Sequence, residues 1–248
     1  MDNFLKKSIS YASGFIGLKK DDVILASYPR SGNTWVRFFL CNLVSLKEWN
    51  GESVDFEVLN RTMPEFGVNN LMKEWTHETI PRVVKTHKKC WPIFRNKRSI
   101  LILRDPRDVM VSYYHYKKDR KGEFEDEFSE FVRSPEFGLK SWFEHYDSWR
   151  DYADLTIEYE DMRENDLEEF SKVIDFLELP LEKGIVQEAA DRASIENVST
   201  AEKDENKNES PDAQFTRNGS TKQWKKYFKQ KDLEYYQRLK NHYGLETY

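Results

Sequence analysis

The chain has 248 residues and a formal net charge of −5, which argues against a general nucleic-acid binder because such proteins present strongly basic surfaces. No apolar run reaches the roughly 20 residues that a membrane-spanning helix requires, and residues 1–7 lack the apolar centre of a signal peptide. The two cysteines, Cys41 and Cys90, do not suggest a disulfide framework. We therefore expect a soluble cytoplasmic protein with no nucleic-acid or membrane partner, folded as a single domain over residues 1–248.

The first patterned stretch runs from a short strand through a tight loop into a helix. Residues 23–26 are apolar and of strand length, and residues 36–46 carry apolar side chains at helical spacing. Between them, residues 28–35 read Tyr-Pro-Arg-Ser-Gly-Asn-Thr-Trp, and Pro29 opposes an earlier helix start. The first N–H groups and the positive dipole end of such a helix face the loop, and phosphate is the usual ligand there.

The side chains of this loop also suit an anion. Arg30 supplies a planar cationic fork, Ser31 and Thr34 supply hydroxyl groups, and Gly32 lets the backbone approach a ligand. Trp35 offers a flat face on which a base could stack. On these residues alone, a plain turn between strand and helix with a surface arginine remains the alternative.

The rest of the chain predicts alternating strands and helices. Residues 45–79 lack clear periodicity and indicate short helices and loops. Strand patterns occur at residues 81–87, 99–104 and 155–159. A helix is predicted to start at Asp105-Pro106, and further helices are predicted within residues 125–133 and 139–152. Another covers residues 167–177 after a cap at Asn165 or Asp166, and two more follow from Trp224 onward. Residues 197–212 are polar and predict a mobile loop. The alternation favours a three-layer α/β fold with a central parallel sheet flanked by helices.

Polar residues at two predicted strand ends are expected to meet the loop, because ligand sites in open α/β sheets lie beyond the carboxyl ends of the strands. Arg104 ends one strand, and Ser112 lies two turns into the next helix, so the pair could hold one phosphate from two sides. The alternative is an arginine that caps the sheet and a serine that faces solvent. His87 ends another strand.

These motifs resemble those of the sulfotransferases that use 3′-phosphoadenosine 5′-phosphosulfate (PAPS) and release PAP. Residues 28–35 resemble the family's 5′-phosphosulfate loop, with Arg30 at a usual Lys and Asn33 at a usual Thr. Residues 104–114 resemble its 3′-phosphate motif, in which an Arg and a Ser at this spacing bind that phosphate. The resemblance implies a P-loop-like parallel sheet and transfer of a sulfuryl group from PAPS to a hydroxyl.

Residues 85–87 match the family's Lys-Thr-His motif, which implies that His87 is the general base. Lys85 and Arg30 would then stabilise charge on the transferring group and the leaving phosphate. The family often continues with Leu-Pro, whereas this chain has Lys88 and Lys89. These lysines indicate a polar or anionic acceptor, such as a saccharide or charged metabolite, but they could equally be a solvated surface pair. A small-molecule alcohol or phenol therefore stays open as well.

Other histidines are expected to be structural: His77, His115, His145 and His242. No cluster of His, Cys and carboxylate residues has the spacing of metal ligands, and we expect no metal. Tyr159-Glu160-Asp161 matches a segment whose Tyr contacts the adenosine end of the cofactor, although Tyr159 could equally pack on the next helix.

Residues 217–219, with Trp224 beyond, resemble an Arg-Lys-Gly cofactor clamp in which Asn218 replaces the Lys, although an Asn-Gly turn is the simpler explanation. The cofactor-binding residues implied by the resemblance are Arg30, Ser31, Gly32, Asn33, Thr34, Trp35, Arg104, Ser112, Tyr159, Arg217, Asn218 and Gly219.

A P-loop kinase or NTPase is the main alternative, but it would carry Gly-Lys-Ser/Thr, and here Asn33 follows Gly32. A non-catalytic nucleotide-binding module is a second alternative, and it would not need both Lys85 and His87. The family's dimerisation motif is changed at Lys229 and Gln230, so monomer and homodimer both stay open.

Overall fold

The computed structural model describes residues 2–205 and 221–248, with side chains for residues 8–201 and 221–248. Within these residues a sheet of four parallel strands has the order β2-β1-β3-β4. The strands are β1 Val23–Ser27, β2 Val83–Thr86, β3 Ser99–Leu103 and β4 Leu155–Glu158. This order places the carboxyl end of β1 between those of β2 and β3, so residues that follow all three strands can meet.

Helices flank the sheet. The α-helices are α1 Asp2–Gly17, α2 Asn33–Glu48, α3 Phe56–Thr62, α4 Pro106–His115, α5 Phe128–Arg133, α6 Leu139–Trp149, α7 Tyr159–Glu164, α8 Asp166–Leu177, α9 Lys183–Arg192, α10 Ile195–Glu205 and α11 Gln230–Tyr243. A π-helix, Tyr116–Arg120, follows α4, and a 3-10 helix, Gln223–Lys226, precedes α11. The predicted α/β fold with a central parallel sheet between helices is confirmed.

The sheet separates two apolar cores. Because side chains alternate along a strand, Val23 and Leu25 of β1 pack with α2 on one face, whereas Ile24 packs with residues of α4 and α6 on the other. All five residues of β1 and of β3 are buried. Burial on both faces explains why these strands are almost continuously apolar in sequence.

Two helix starts follow their sequence signals. The Asp105 carboxylate accepts a hydrogen bond from the Arg107 N–H at 2.9 Å, and Pro106 opens α4. Asn165 is the residue that caps α8, because its side chain accepts a hydrogen bond from the Glu168 N–H at 3.3 Å. The cap on α4 fixes the direction in which this helix leaves the carboxyl end of β3.

Helix α10 differs from the mobile loop predicted for residues 197–212. Val198 is buried in the same core as α2, and Ile195, three residues earlier, packs against that core. The prediction was wrong for residues 197–205, because two apolar anchors one turn apart suffice to hold a polar helix on a preformed surface. Residues 206–212 lie outside the described part of the chain.

Helix α1 has no counterpart among the predicted elements. A Cβ at Gly17 would lie 2.4 Å from the backbone of Leu71, so the end of this helix lies directly on the segment that leads to β2. Among the helices that the structure describes, none is both long and apolar enough to span a bilayer.

Candidate active site

The loop between β1 and α2 lies at the carboxyl end of the sheet. Arg30 (φ 72°) and Gly32 (φ 103°) both have positive φ. A Cβ at Gly32 would lie 2.7 Å from Cδ2 of Tyr159, so backbone conformation and space both require glycine there. α2 begins immediately afterwards at Asn33, with Thr34 also buried, and its first N–H groups have no partner within the helix.

Several buried polar atoms of the loop lack a hydrogen-bond partner in the described part of the chain: Ser31 Oγ, Asn33 Oδ1 and Trp35 Nε1. Buried polar groups are almost always hydrogen-bonded, so this set fits a site that receives polar groups of a ligand. The Asn33 amide nitrogen is used differently. It donates to the Leu25 carbonyl at 3.3 Å and the Ser27 hydroxyl at 3.2 Å, which fixes the loop to β1.

Arg104 and Ser112 meet this loop as well. Arg104 Nη1 donates to the Arg30 carbonyl oxygen at 3.1 Å, and Arg30 Nε donates to Ser112 Oγ at 3.0 Å. The fold thus gathers two arginines and a helix hydroxyl, as much as 82 residues apart in the chain, at one edge of the sheet. Two guanidinium groups beside a helix start make this edge suitable for anions.

Tyr159 borders the loop on its other side. The Arg104 guanidinium carbon lies 4.2 Å from the centroid of the Tyr159 ring, which is a cation–π contact. The Tyr159 and Trp35 rings meet edge to face at 6.0 Å, and both residues are buried. Tyr159 therefore has a packing function for the loop, and its contact with adenosine, like that of Trp35 with adenine, stays a prediction.

His87 lies past the end of β2, on the opposite side of β1 from Arg104. Its Nδ1 atom is 2.8 Å from the Ser27 carbonyl oxygen. Because a carbonyl oxygen can only accept, Nδ1 carries the proton and the neutral ring keeps its lone pair on Nε2. Burial, followed by the nearby charge of Lys85, holds the pKa of His87 well below 6.5. The imidazole is therefore in the form that can accept a proton.

Lys85 is engaged in an ion pair that the sequence did not indicate. Its Nζ atom lies 2.8 Å from Glu65 Oε2. Burial lowers the pKa of Lys85, and the Glu65 charge opposes that shift. Glu65 belongs to the stretch without periodicity, and its backbone lies beside β2 because Lys85 N–H donates to the Pro64 carbonyl at 2.9 Å. The predicted role of Lys85 in stabilising charge stays a prediction.

His145, for which a structural role was expected, interacts electrostatically with His87. It is buried in α6, and its Nε2 atom has no hydrogen-bond partner among the described residues. Burial, followed by repulsion from the protonated form of His87, lowers the pKa of His145 to about 3. Trp142 and Trp149 are buried on the same helix, so the sequence shows a core face and carries no signal that separates His145 from packing residues.

Asp108 ties α4 to the C-terminal part of the chain. Its carboxylate accepts hydrogen bonds from the backbone N–H groups of Lys222 at 2.5 Å and Trp224 at 3.0 Å. The Arg107 guanidinium stacks on Trp224 at 4.0 Å from the ring centroid. The predicted cofactor clamp lies outside the described residues, and its assignment stays a prediction: Arg217, Asn218 and Gly219.

The arrangement combines an anion-binding helix start with a neutral imidazole across the end of β1. It suits transfer of an anionic group, and a neutral imidazole is the form of histidine that can accept a proton. Within the residues that the structure describes, no group of His, Cys, Asp and Glu side chains could hold a metal ion.

A family model for the sulfotransferase domain matches residues 20–242 of the chain. The chain therefore belongs to the sulfotransferase family. The matched region contains the loop of residues 28–35, His87 and Arg104, which together define the site described above.

Individual proteins show the same relationship. Sulfotransferase 1B1 of Canis lupus familiaris is 28% identical over an alignment that covers 85% of this chain and 79% of that protein. Sulfotransferase 1E1 of Bos taurus is 29% identical over an alignment that covers 90% of this chain and 84% of that protein. Among solved structures, mouse sulfotransferase SULT7A1 complexed with PAP aligns with a TM-score of 0.69 at 21% identity, over 93% of this chain and 86% of that one. The structural alignment supports the fold.

Proposed function

We propose that the protein transfers a sulfuryl group from PAPS to a hydroxyl group of an acceptor and releases PAP. The observation that carries the proposal is the neutral His87, whose Nδ1 proton is held by the Ser27 carbonyl at the end of the strand that leads into the anion-binding loop. Membership of the sulfotransferase family supports the reaction class. The name of the mouse structure, a complex with PAP, supports the choice of nucleotide.

PAPS supplies the sulfuryl group. Its 5′-phosphosulfate would be held at the start of α2 by Ser31, Gly32, Asn33 and Thr34, through backbone N–H groups and hydroxyls. The buried Ser31 Oγ, which lacks a partner among the described residues, fits such a ligand. Asn33 contributes through its backbone and by bracing the loop, because its side-chain nitrogen is already bound to β1.

The 3′-phosphate would bind to Arg104 and Ser112, together with Arg217 and Gly219. Bidentate guanidinium contacts and a hydroxyl are suited to a phosphate group. Trp35 would pack on the adenine. Tyr159 would contact the adenosine end, and Asn218 would complete the clamp with one positive charge fewer than the Lys it replaces.

His87 would accept the acceptor's hydroxyl proton on Nε2 as the oxygen attacks sulfur in line with the departing phosphate. The Ser27 carbonyl would keep the tautomer fixed throughout. Lys85 and Arg30 would stabilise charge on the sulfuryl group and the leaving phosphate. The ion pair with Glu65 would hold the Lys85 ammonium in position without a rearrangement during the reaction.

The acceptor of the proposed reaction is a saccharide or a small-molecule alcohol or phenol. Transfer of label from PAPS to a panel of such compounds tests this directly, and the nucleotide is tested separately by thermal unfolding. PAP at ~100 times its dissociation constant should add about 2.7 kcal/mol to the free energy of unfolding. In a chain of this size, that is a rise in Tm of roughly 5–10 °C. ATP should raise the Tm much less, and equal rises would instead favour a P-loop kinase.

A further inference from the structure

Positive charge is concentrated around His87. Lys85, Arg37 and Lys88 all act electrostatically on its ring. Lys85 is paired with Glu65. In the part of the chain that the structure describes, neither Arg37 nor Lys88 forms an ion pair with a carboxylate. Among these residues, the three cations are therefore accompanied by a single paired carboxylate, that of Glu65.

Arg37 is fixed in the protein interior. Its Nη2 atom donates to the Met63 carbonyl at 2.9 Å and to Asn60 Oδ1 at 3.3 Å, and the residue is 4% exposed. Both partners are uncharged, so they orient the guanidinium without neutralising it. The positive potential of Arg37 thus extends toward the neighbouring Lys85 and His87.

Lys85 and Lys88 are both partly exposed, but Lys85 is paired with Glu65, so Lys88 is the reachable cation of this set that forms no ion pair with a carboxylate among the described residues. Its backbone is held on both sides, since its N–H donates to Thr86 Oγ1 at 3.1 Å and its carbonyl accepts from Trp149 Nε1 at 2.9 Å. The ammonium lies 5.3 Å from the centroid of the Tyr11 ring. The Tyr11 contact fixes the position of this charge, which acts electrostatically on the His87 ring.

Lys89 provides an internal comparison. Its Nζ atom forms an ion pair with Glu144 at 2.7 Å, and its side chain is 51% exposed. The two adjacent lysines are therefore different: Lys89 is neutralised by a carboxylate on α6, whereas Lys88 rests on an aromatic ring. A cation–π contact is weak at an exposed site, and it leaves the charge of Lys88 available to an anion.

An aromatic wall adjoins Lys88. Tyr11 contacts Trp91 with ring centroids 6.3 Å apart, and Phe15 stacks on Trp91 at 5.8 Å. Phe66 meets Tyr11 edge to face at 6.1 Å. A flat acceptor lying beside Tyr11 would bring its polar end next to Lys88, whose charge acts on the His87 ring.

We propose that the acceptor carries a negatively charged group in addition to its hydroxyl, and that the Lys88 ammonium binds this group. The proposal rests on the sulfotransferase function proposed above and specifies its acceptor. The protein would prefer anionic to neutral acceptors, because an anionic acceptor would form a charge-assisted hydrogen bond with the Lys88 ammonium and a neutral acceptor would not.

A matched pair of phenols tests the proposal: para-hydroxyphenylpropionate and its uncharged amide, para-hydroxyphenylpropionamide. With PAPS as donor, the wild-type protein should favour the carboxylate by about 10- to 100-fold in kcat/KM, the range expected for a charged hydrogen bond. Lys88→Gln should reduce the ratio to about 1 while leaving the affinity for PAP unchanged. Lys89→Gln, the matched control, should keep the wild-type ratio.

Equal rates with both phenols, or a preference that survives in Lys88→Gln, would overturn the inference while the sulfotransferase function stands. If neither phenol is sulfated, binding of the two to the complex with PAP is measured by tryptophan fluorescence, and equal affinities would overturn it too. Failure of PAP to bind at all would instead contradict the proposed function.

Discussion

The Nδ1 atom of His87 lies 2.8 Å from the carbonyl oxygen of Ser27, the last residue of β1. This contact links the base proposed for the reaction to the strand that leads into the anion-binding loop. It sets the tautomer, because the carbonyl requires a donor, and it sets the ring position relative to the start of α2. The register of β1 against β2 pairs Ala26 with Thr86, and this brings the next residues, Ser27 and His87, together.

Replacement of His87 should therefore remove the base and little else. His87→Gln is expected to lower the turnover number by ~10²–10⁴-fold with a confirmed acceptor, the usual contribution of general-base catalysis. The dissociation constant for PAP, measured by calorimetry, should stay nearly unchanged because the base faces the acceptor. His242→Gln, at an exposed position on α11, is the control and should behave as wild type. Near-normal turnover in His87→Gln would remove this residue from the mechanism.

The depressed pKa of His87 predicts the pH dependence of the activity. Lys85, Arg37 and Lys88 add positive charge around the ring, and His145 lies nearby in α6. Because the folded-state pKa is well below 6.5, the base stays deprotonated in mildly acidic solution. In a plot of kcat/KM against pH, the decrease in activity on the acidic side should therefore occur below pH 6.5. A limb at or above that value would contradict the assignment.

The same shift has a consequence for stability. Between the ordinary pKa of 6.5 and the lower folded-state pKa, the unfolded chain binds a proton at this position and the native protein does not. The free energy of unfolding should then decrease as the pH falls through this window. Urea unfolding of wild type and His87→Gln at several pH values measures the contribution of His87, including its effect on the pKa of His145. Parallel curves would show that the pKa of His87 is not depressed.

Local sequence signals account for the elements that carry the site. The apolar run of residues 99–103 forms β3, and Asp105-Pro106 starts α4 as predicted, because capping and proline geometry act within one turn. The loop of residues 28–35 is similarly local. Its side chains and its place after β1 were sufficient to predict a helix start that favours anions.

Contacts between distant segments could not be predicted from the sequence. Glu65 pairs with Lys85, yet it lies in a stretch without periodicity, and nothing local indicates which lysine it meets. His87 acts electrostatically on His145, 58 positions further along the chain, although the spacing of His145 on α6 is that of a packing residue. Helix α10 was missed because its stability depends on the surface that Val198 meets.

Gly32 is predicted to tolerate no side chain. Gly32→Ala would require an L-residue at φ 103° and would place a Cβ 2.7 Å from Tyr159. Such strain costs about 1–3 kcal/mol, so the free energy of unfolding should decrease by this amount and PAP should bind more weakly. Chemical denaturation and PAP titration measure the two effects. Gly184→Ala, in α9 where nothing lies within 4 Å of the added Cβ, should be neutral or slightly stabilising. Similar effects of the two substitutions would refute the constraint at Gly32.

Arg104 is predicted to distinguish nucleotides by their 3′-phosphate. Arg104→Ala removes a charged hydrogen-bond donor worth about 1.5–3 kcal/mol, and PAP should therefore bind about 10- to 100-fold more weakly. Arg104 Nη1 also holds the Arg30 carbonyl at 3.1 Å, so some disturbance of the loop should weaken every nucleotide alike. The ratio of affinities for PAP and adenosine 5′-phosphosulfate, which lacks the 3′-phosphate, removes that common effect. This ratio should fall in Arg104→Ala and stay at the wild-type value in Arg163→Ala, an exposed arginine on α7. An unchanged ratio in Arg104→Ala would mean that Arg104 supports the loop and does not bind the 3′-phosphate.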